Sequence, residues 1–324
     1  MGRASTDELA STAEVVDLLL ALTTAAATHP TRAKLILTPF PMIVEATGQR
    51  KKILNPKKPN YALAAEIARQ LPSMQQLVSS ESSSSLVDAC ASSGPHAYAL
   101  FNWILSSNQA HIVSLQGPHR IQSMGTKYQF LMRSASPEGE KYFDTLKKKH
   151  GSCFGFHGSD VENWHSILRN GIRNMSGTAL QINGAAYGKG VYISPSAAMS
   201  LGYSRLQRTG STTMSRTRDK FVPPLLRTTS NEGNSFLSGR NVKVMTLCEL
   251  IQGDQFIKKN NDIWVVPDDR TMVTRFLFVF VPGSTNFQTV FTQASSCRTS
   301  GHGEKKFEKE IRDCIERTWG GGGE

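Results

Sequence analysis

A chain of 324 residues that is 39% apolar and 19% charged has material for a sizeable core, and its composition excludes a disordered or fibrous class. A formal net charge of +11 favours anionic partners such as nucleotide phosphates, nucleic acid or acidic protein surfaces. Five dispersed cysteines (Cys90, Cys153, Cys248, Cys297, Cys314) with no CxxC pair argue against a disulfide framework and against structural zinc. They point instead to a reducing, intracellular compartment, cytoplasmic or nuclear.

Residues 1–60 read as an N-terminal preamble. A helix is expected over 7–27, ending before His29-Pro30. Its apolar run is interrupted by Asp17 and Thr23-Thr24 and is too short to cross a bilayer. Glu8 and Glu14 precede it where a signal peptide would carry basic residues. Short strands are expected at 35–37 and 42–44, and the run of Arg50, Lys51, Lys52, Lys57 and Lys58 reads as a solvated linker. Residues 61–109 form a helical region: Leu63, Ala64, Ile67 and Leu71 recur at helical spacing before Pro72, and 95–106 is a second apolar helix. From 110 to 295 strands take over, at 111–115, 128–132, 242–250 and 263–266, with a charged helix at 137–150. Residues 271–281 are almost continuously apolar, as in a strand covered on both faces. Residues 204–240 are basic and poor in apolar residues, which suits an exposed loop. Residues 296–324 read as a tail with a charged helix at 304–319.

The richest stretch runs from Ser152 to Ser204. Phe154 and Phe156 alternate with Cys153, Gly155 and His157, as in a half-buried strand. Ser159 with Glu162 forms a capping-box pattern, so His157-Gly158 is expected at a strand-to-helix turn. Val161, Trp164 and Leu168 follow at helical spacing, and Asn170-Gly171 closes the helix. Gly188-Lys189-Gly190 leads into a short strand, Val191-Tyr192-Ile193. Ser194-Pro195 then starts another helix, on which Ser196, Ser200 and Tyr203 share a face. A flat ring held between tyrosines with its polar edge hydrogen-bonded suits such a set. A lone histidine before a helix is more often structural, and Tyr192 alone is more often core.

Taken together and in this order, His157-Gly158-Ser159, Gly188-Lys189-Gly190-Val191-Tyr192 and Ser200-Leu201-Gly202-Tyr203 resemble the NAD signature of the poly(ADP-ribose) polymerase-like ADP-ribosyltransferases. The wording ENWHSILRNG…GAAYGKGVYISP is most similar to the small members related to polymerases six and eight. The resemblance implies an α+β fold, with two apposed, mainly antiparallel sheets around an NAD cleft and helices before it. NAD is the implied co-substrate, and protein side chains, this chain's own included, are the implied acceptors. Nucleic acid is the less favoured partner, because the basic segments lack interleaved aromatics. By the same resemblance, His157 binds the adenosine-side ribose and Gly158 meets the nicotinamide carboxamide through its backbone. Ser200 adds a hydrogen bond to that amide, Tyr203 stacks on the ring and Tyr192 lines its other side. Ser159 stands in the signature, and Asn163 and Arg173 match positions that help hold the adenosine and diphosphate.

Polymerising members of that family carry a glutamate on a late strand. Matching RFLFVF to that strand puts Phe276 at the position, and a slip puts Arg275 or Thr274 there. None is an acid, so the resemblance implies transfer of one ADP-ribose without elongation, or NAD binding without turnover. An acid elsewhere, Glu249 or Asp254, is the alternative.

Overall fold

In the computed structural model the described residues are 6–27, 97–133, 135–178, 186–204, 241–281 and 304–319, with short pieces at 54–55, 58–59, 67, 88, 90, 94, 181 and 207–208. The strands expected at 35–37 and 42–44, most of the helix at 63–71 and most of the basic loop 204–240 lie outside them.

The elements in chain order are α1 (Thr6–Ala27), a two-strand hairpin β1 (Leu54–Asn55) and β2 (Lys58–Pro59), α2 (Ala97–Ser106), β3 (His111–Ser114), β4 (Tyr128–Arg133), α3 (Pro137–His150), β5 (Ser152–Ser159), α4 (Trp164–Asn170), β6 (Val191–Ile193), α5 (Ala197–Gly202), β7 (Gln207–Arg208), β8 (Asn241–Ile251), β9 (Lys258–Asn260), β10 (Ile263–Val266), β11 (Met272–Phe280) and α6 (Glu304–Trp319). The main sheet has the order β3-β4-β11-β8-β5, with β7 also pairing β8, and a second sheet has the order β6-β10-β9. Every pairing is antiparallel. The fold is thus α+β, with two antiparallel sheets flanked by helices, as expected.

The apolar run of β11 is central and covered on both sides. Leu277 and Val279 face a cluster shared with Tyr128, Phe130, α1 and α2. Phe276, Phe278 and Phe280 face another, shared with Leu131, Phe154, Phe156, Met245, α5 and α6. The N-terminal helix and the C-terminal helix are therefore parts of these two cores, where a separate preamble and a tail were expected. Both carry apolar residues at helical spacing, such as Phe307, Ile311 and Cys314 of α6, and the sheet is what that stripe packs on. Gly155 lets the second sheet approach, because a Cβ there would sit 2.3 Å from Ile193 Cγ2.

Alternation along β11 breaks once. Thr274 pairs with Cys248 and Phe276 with Leu247, leaving Arg275 as the extra residue of a bulge. Its guanidinium is buried and forked between two acids, with Nε 2.9 Å from Glu249 and Nη1 2.9 Å from Glu140 of α3. Glu249 also takes Lys147 Nζ at 2.6 Å and the Ser152 hydroxyl at 2.7 Å. Burial alone would raise the Glu249 pKa, but Arg275, Lys147 and Ser152 together hold it below its ordinary value.

Under α1 lies a buried histidine. His165 Nδ1 is 2.9 Å from Thr23 Oγ1, whose proton goes to the Leu19 carbonyl, so Nδ1 donates and Nε2 stays bare in the core. The ring stacks on Trp103. Arg169, also close to that indole, donates to the Ile104 and His165 carbonyls and to Ser107. Burial first, then the Arg169 charge, pushes the His165 pKa well below its ordinary 6.5. The unfolded chain therefore takes up a proton below 6.5 that the native state refuses. Stability should be flat above about pH 6.5 and fall below it by up to about 1.4 kcal/mol per unit. Glu249 and Asp268, both depressed carboxylates, add their losses only at lower pH. Urea unfolding of the parent and of His165→Leu across this window checks it: the substitution should remove the His165 share of the slope, leaving that of His157, whose pKa burial also lowers.

Candidate active site

β5 is an edge strand of the main sheet, and it runs three residues further than expected, through His157, Gly158 and Ser159. The anticipated capping box is not formed. A 3-10 turn over Val161–Asn163 follows Asp160, and Ser159 Oγ instead accepts from Asn163 Nδ2 at 2.7 Å. Gly171 does close α4, at φ 72°. On the outer edge of β5, Phe156 exchanges both backbone hydrogen bonds with Ser194, at 2.7 and 2.9 Å. This bridge, beyond the last residue of β6, joins the two sheets.

Backbone polar groups alternate sides along a strand. Because those of Phe156 point outward to Ser194, those of Gly158 point to the same outer edge, away from β8. A primary carboxamide presents one donor and one acceptor side by side, as a strand edge does, so Gly158 is suited to bind one. No side chain fits here: a Cβ would fall 1.7 Å from the Ser200 carbonyl oxygen.

His157 points to the other face of β5 and is half-buried. Its Nδ1 lies 2.9 Å from the Tyr192 carbonyl, which only accepts, so Nδ1 carries the proton. Burial lowers the pKa of the ring, the Tyr192 hydrogen bond opposing it. The imidazole is neutral at physiological pH, and Nε2 is left as an acceptor suited to a sugar hydroxyl.

α5 starts later than expected. Ser196 is its N-cap, accepting from the Met199 amide, while Ser194 Oγ accepts from the Ser196 amide. Ser196 therefore caps the helix and does not share a working face with Ser200. Ser200 is buried and donates to the Phe156 carbonyl at 2.8 Å. Tyr203 ends the helix and is 53% exposed, a ring face open to stacking. The C-terminal end of α5 is fastened to β8: Lys243 Nζ donates to the Leu201 carbonyl, and Ser204 Oγ accepts from the Val244 amide. Tyr192 has its hydroxyl engaged, donating to the Gly188 carbonyl and accepting from the Tyr187 amide. It shapes the loop rather than moving protons.

The structure thus brings His157, Gly158, Tyr192, Ser200 and Tyr203 to one junction of β5, β6 and α5. Arg173 is turned to Asp269 at 3.6 Å and is 55% exposed. Phe276 lies elsewhere: it is fully buried on the opposite face from His157, stacked on Phe278 with ring centroids 6.0 Å apart. Glu249 is on that reverse face too, held by Arg275, and Asp254 is exposed beyond β8. The strand beside Tyr192 is β10. Val265 pairs directly with Tyr192, and Ile263, two residues away, shares that face. No acid stands at either position.

Residues 106–274, just over half of the chain, match the poly(ADP-ribose) polymerase catalytic domain. The chain belongs to that family. It is 36% identical over 295 residues, 89% of its length, to the proteins named protein mono-ADP-ribosyltransferase PARP8 of Mus musculus and of Homo sapiens. It spans 34% of the length of those relatives. It is also 27% identical over 177 residues, 48% of this chain and 50% of the relative, to protein mono-ADP-ribosyltransferase PARP16 of Homo sapiens. Family membership implies an ability to bind NAD, and the donors and acceptors around Gly158 and His157 fit it. Among the described residues no helix is long and apolar enough to cross a membrane.

Proposed function

We propose that this chain is an NAD-dependent protein mono-ADP-ribosyltransferase of the kind its PARP8 relatives are named for. The C–N bond between the nicotinamide ring and its ribose breaks and nicotinamide leaves. A new bond forms from the ribose carbon to an acceptor side chain, which gives up its proton. The chain's own residues orient and hold. Gly158 and Ser200 engage the carboxamide, Tyr203 and Tyr192 flank the ring, and neutral His157 accepts from a ribose hydroxyl. Held geometry of this kind replaces covalent participation, because the transition state is close to an oxocarbenium ion.

The observation that carries single transfer is the face of the second sheet beside Tyr192, where Val265 and Ile263 stand and, among the described residues of that sheet, no carboxylate does. Elongation needs a sugar hydroxyl to attack, and a hydroxyl needs a positioned proton acceptor worth roughly 10²–10⁴-fold. An acceptor that brings its own carboxylate, or a better nucleophile, escapes that need. The test is intact-mass and gel analysis of protein and candidate acceptors after long incubation with excess NAD. Adducts of one ADP-ribose per site are expected. Ladders would overturn mono-transfer. NAD binding without any adduct on protein or acceptors would favour a non-catalytic NAD or ADP-ribose-binding module.

A further inference from the structure

We infer that the C-terminal helix α6 is a positioning element of the NAD site, acting through Phe307 as a positioning residue. The inference rests on the NAD-site reading above and extends it to a helix that touches none of the proposed ligand contacts.

Phe156 is the point at which the site is fastened. Its amide and carbonyl bind Ser194, and its carbonyl also accepts from Ser200. One backbone unit therefore sets the start of α5 and the working serine together, next to His157 and Gly158. What locks that unit is its side chain, which is fully buried on the reverse face of the sheet. There the Phe307 ring stacks on it, with centroids 5.8 Å apart and planes 27° from parallel. The same cluster holds Ala197 and Leu201 of α5, so the helix bearing Ser200 and Tyr203 rests on the same packing. Because interiors are close-packed, a gap opened behind Phe156 is not absorbed locally and shifts its neighbours.

α6 has a second, separate anchorage. Glu310 accepts from the Gln122 amide and from Ser123 Oγ, both at 2.7 Å. Those contacts hold the helix to the 3-10 turn at Gln122–Met124 and do not involve β5 or α5. Arg312 and Cys314 of α6 also reach the Ser152 and His119 carbonyls, so the comparison is between two of several anchors: Phe307 stacks on the residue that carries the site, and Glu310 holds a turn away from it.

The experiment compares Phe307→Ala, Phe307→Leu and Glu310→Ala in the full chain. The readouts are melting temperature, Kd for NAD and amide hydrogen exchange across α5 without ligand. Phe307→Ala should raise the Kd about tenfold, a change of about 1.4 kcal/mol. It should also speed exchange over Ala197–Gly202, and Phe307→Leu should restore part of both. Glu310→Ala should lower the melting temperature while Kd and α5 exchange stay at parent values. Parent-like Kd and exchange in a folded Phe307→Ala variant would overturn the inference. So would effects on Kd that merely track melting temperature across all three variants. Should Phe307→Ala fail to fold, Phe307→Leu against Glu310→Ala decides by the same measures. If the parent binds no NAD, the NAD reading fails by itself, and ligand-free exchange in α5 still decides whether Phe307 holds that helix.

Discussion

Arg275→Ala should destabilise the protein by about 3–5 kcal/mol, because it leaves buried Glu249 and its neighbour Glu140 facing one another without their shared cation. Lys147 still reaches Glu249, but its ammonium is partly exposed and does not replace a fork that binds two carboxylates. The bulge makes the loss worse than a surface pair would suggest. Arg275 is the inserted residue that lets β11 switch register between Thr274 and Phe276, and its side chain ties that irregularity to α3. Urea unfolding measures the loss, with a melting temperature lower by at least about 6 °C for a domain of this size. Removing the charges together should hurt less than removing one: Arg275→Met with Glu249→Leu is expected to be more stable than Arg275→Met alone. A single substitution costing under about 1 kcal/mol would show that water reaches the cluster and that the ions are solvated.

That cluster also marks where sequence reading reached its limit. The continuous apolar run of β11 announced a strand covered on both faces, and it is one. Such a run carries no alternation, so nothing in it says which side chains face which way. The bulge at Arg275 shifts the phase by one residue more. Matching the run to the late strand of a polymerase therefore put Phe276 in the cleft, whereas it is core. β10 was foreseen as a strand from Ile263 to Val266, yet its place beside Tyr192 depends on a long-range pairing that local pattern does not encode. By contrast the glycine and histidine elements stood out as an ordered motif, although the demand on Gly158 is itself a tertiary one. Gly158 sits where a Cβ would strike the Ser200 carbonyl. The cap expected at Ser194 shifted by two residues to Ser196, and after Ser159 a 3-10 turn capped at Asp160 comes first, so that α4 begins only at Trp164. In both places several capping-type residues compete, Ser159, Asp160 and Asn163 in one and Ser194 and Ser196 in the other, and tertiary contacts choose among them. α1 and α6 looked peripheral by position in the chain, and only the packed sheet shows them to be walls of the core.

His157→Ala should reduce transfer from NAD by about 10²-fold or more, the scale on which a misplaced reacting group costs rate. Nδ1 donates to the Tyr192 carbonyl, which fixes both the tautomer and the ring plane and leaves Nε2 as acceptor. The same bond ties the end of β5 to β6, so alanine removes a ligand contact and a link between the sheets. That link is one ordinary hydrogen bond, worth about 0.5–1.5 kcal/mol, so the fold should survive while labelling does not. His157→Asn makes the distinction sharper. Its amide NH₂ can still donate to the Tyr192 carbonyl, but its oxygen does not extend to the position of Nε2, so it should recover stability and little activity. Acidity adds a second reading. The histidine must be neutral to accept, and burial lowers its pKa. Activity should therefore hold as pH drops past 6.5 and fail only further down, near the depressed value. Initial rates of labelling from NAD for the parent and both variants across that range, beside melting curves, check each step. Labelling by folded His157→Ala within about a factor of three of the parent would make His157 a structural link between the sheets and nothing more.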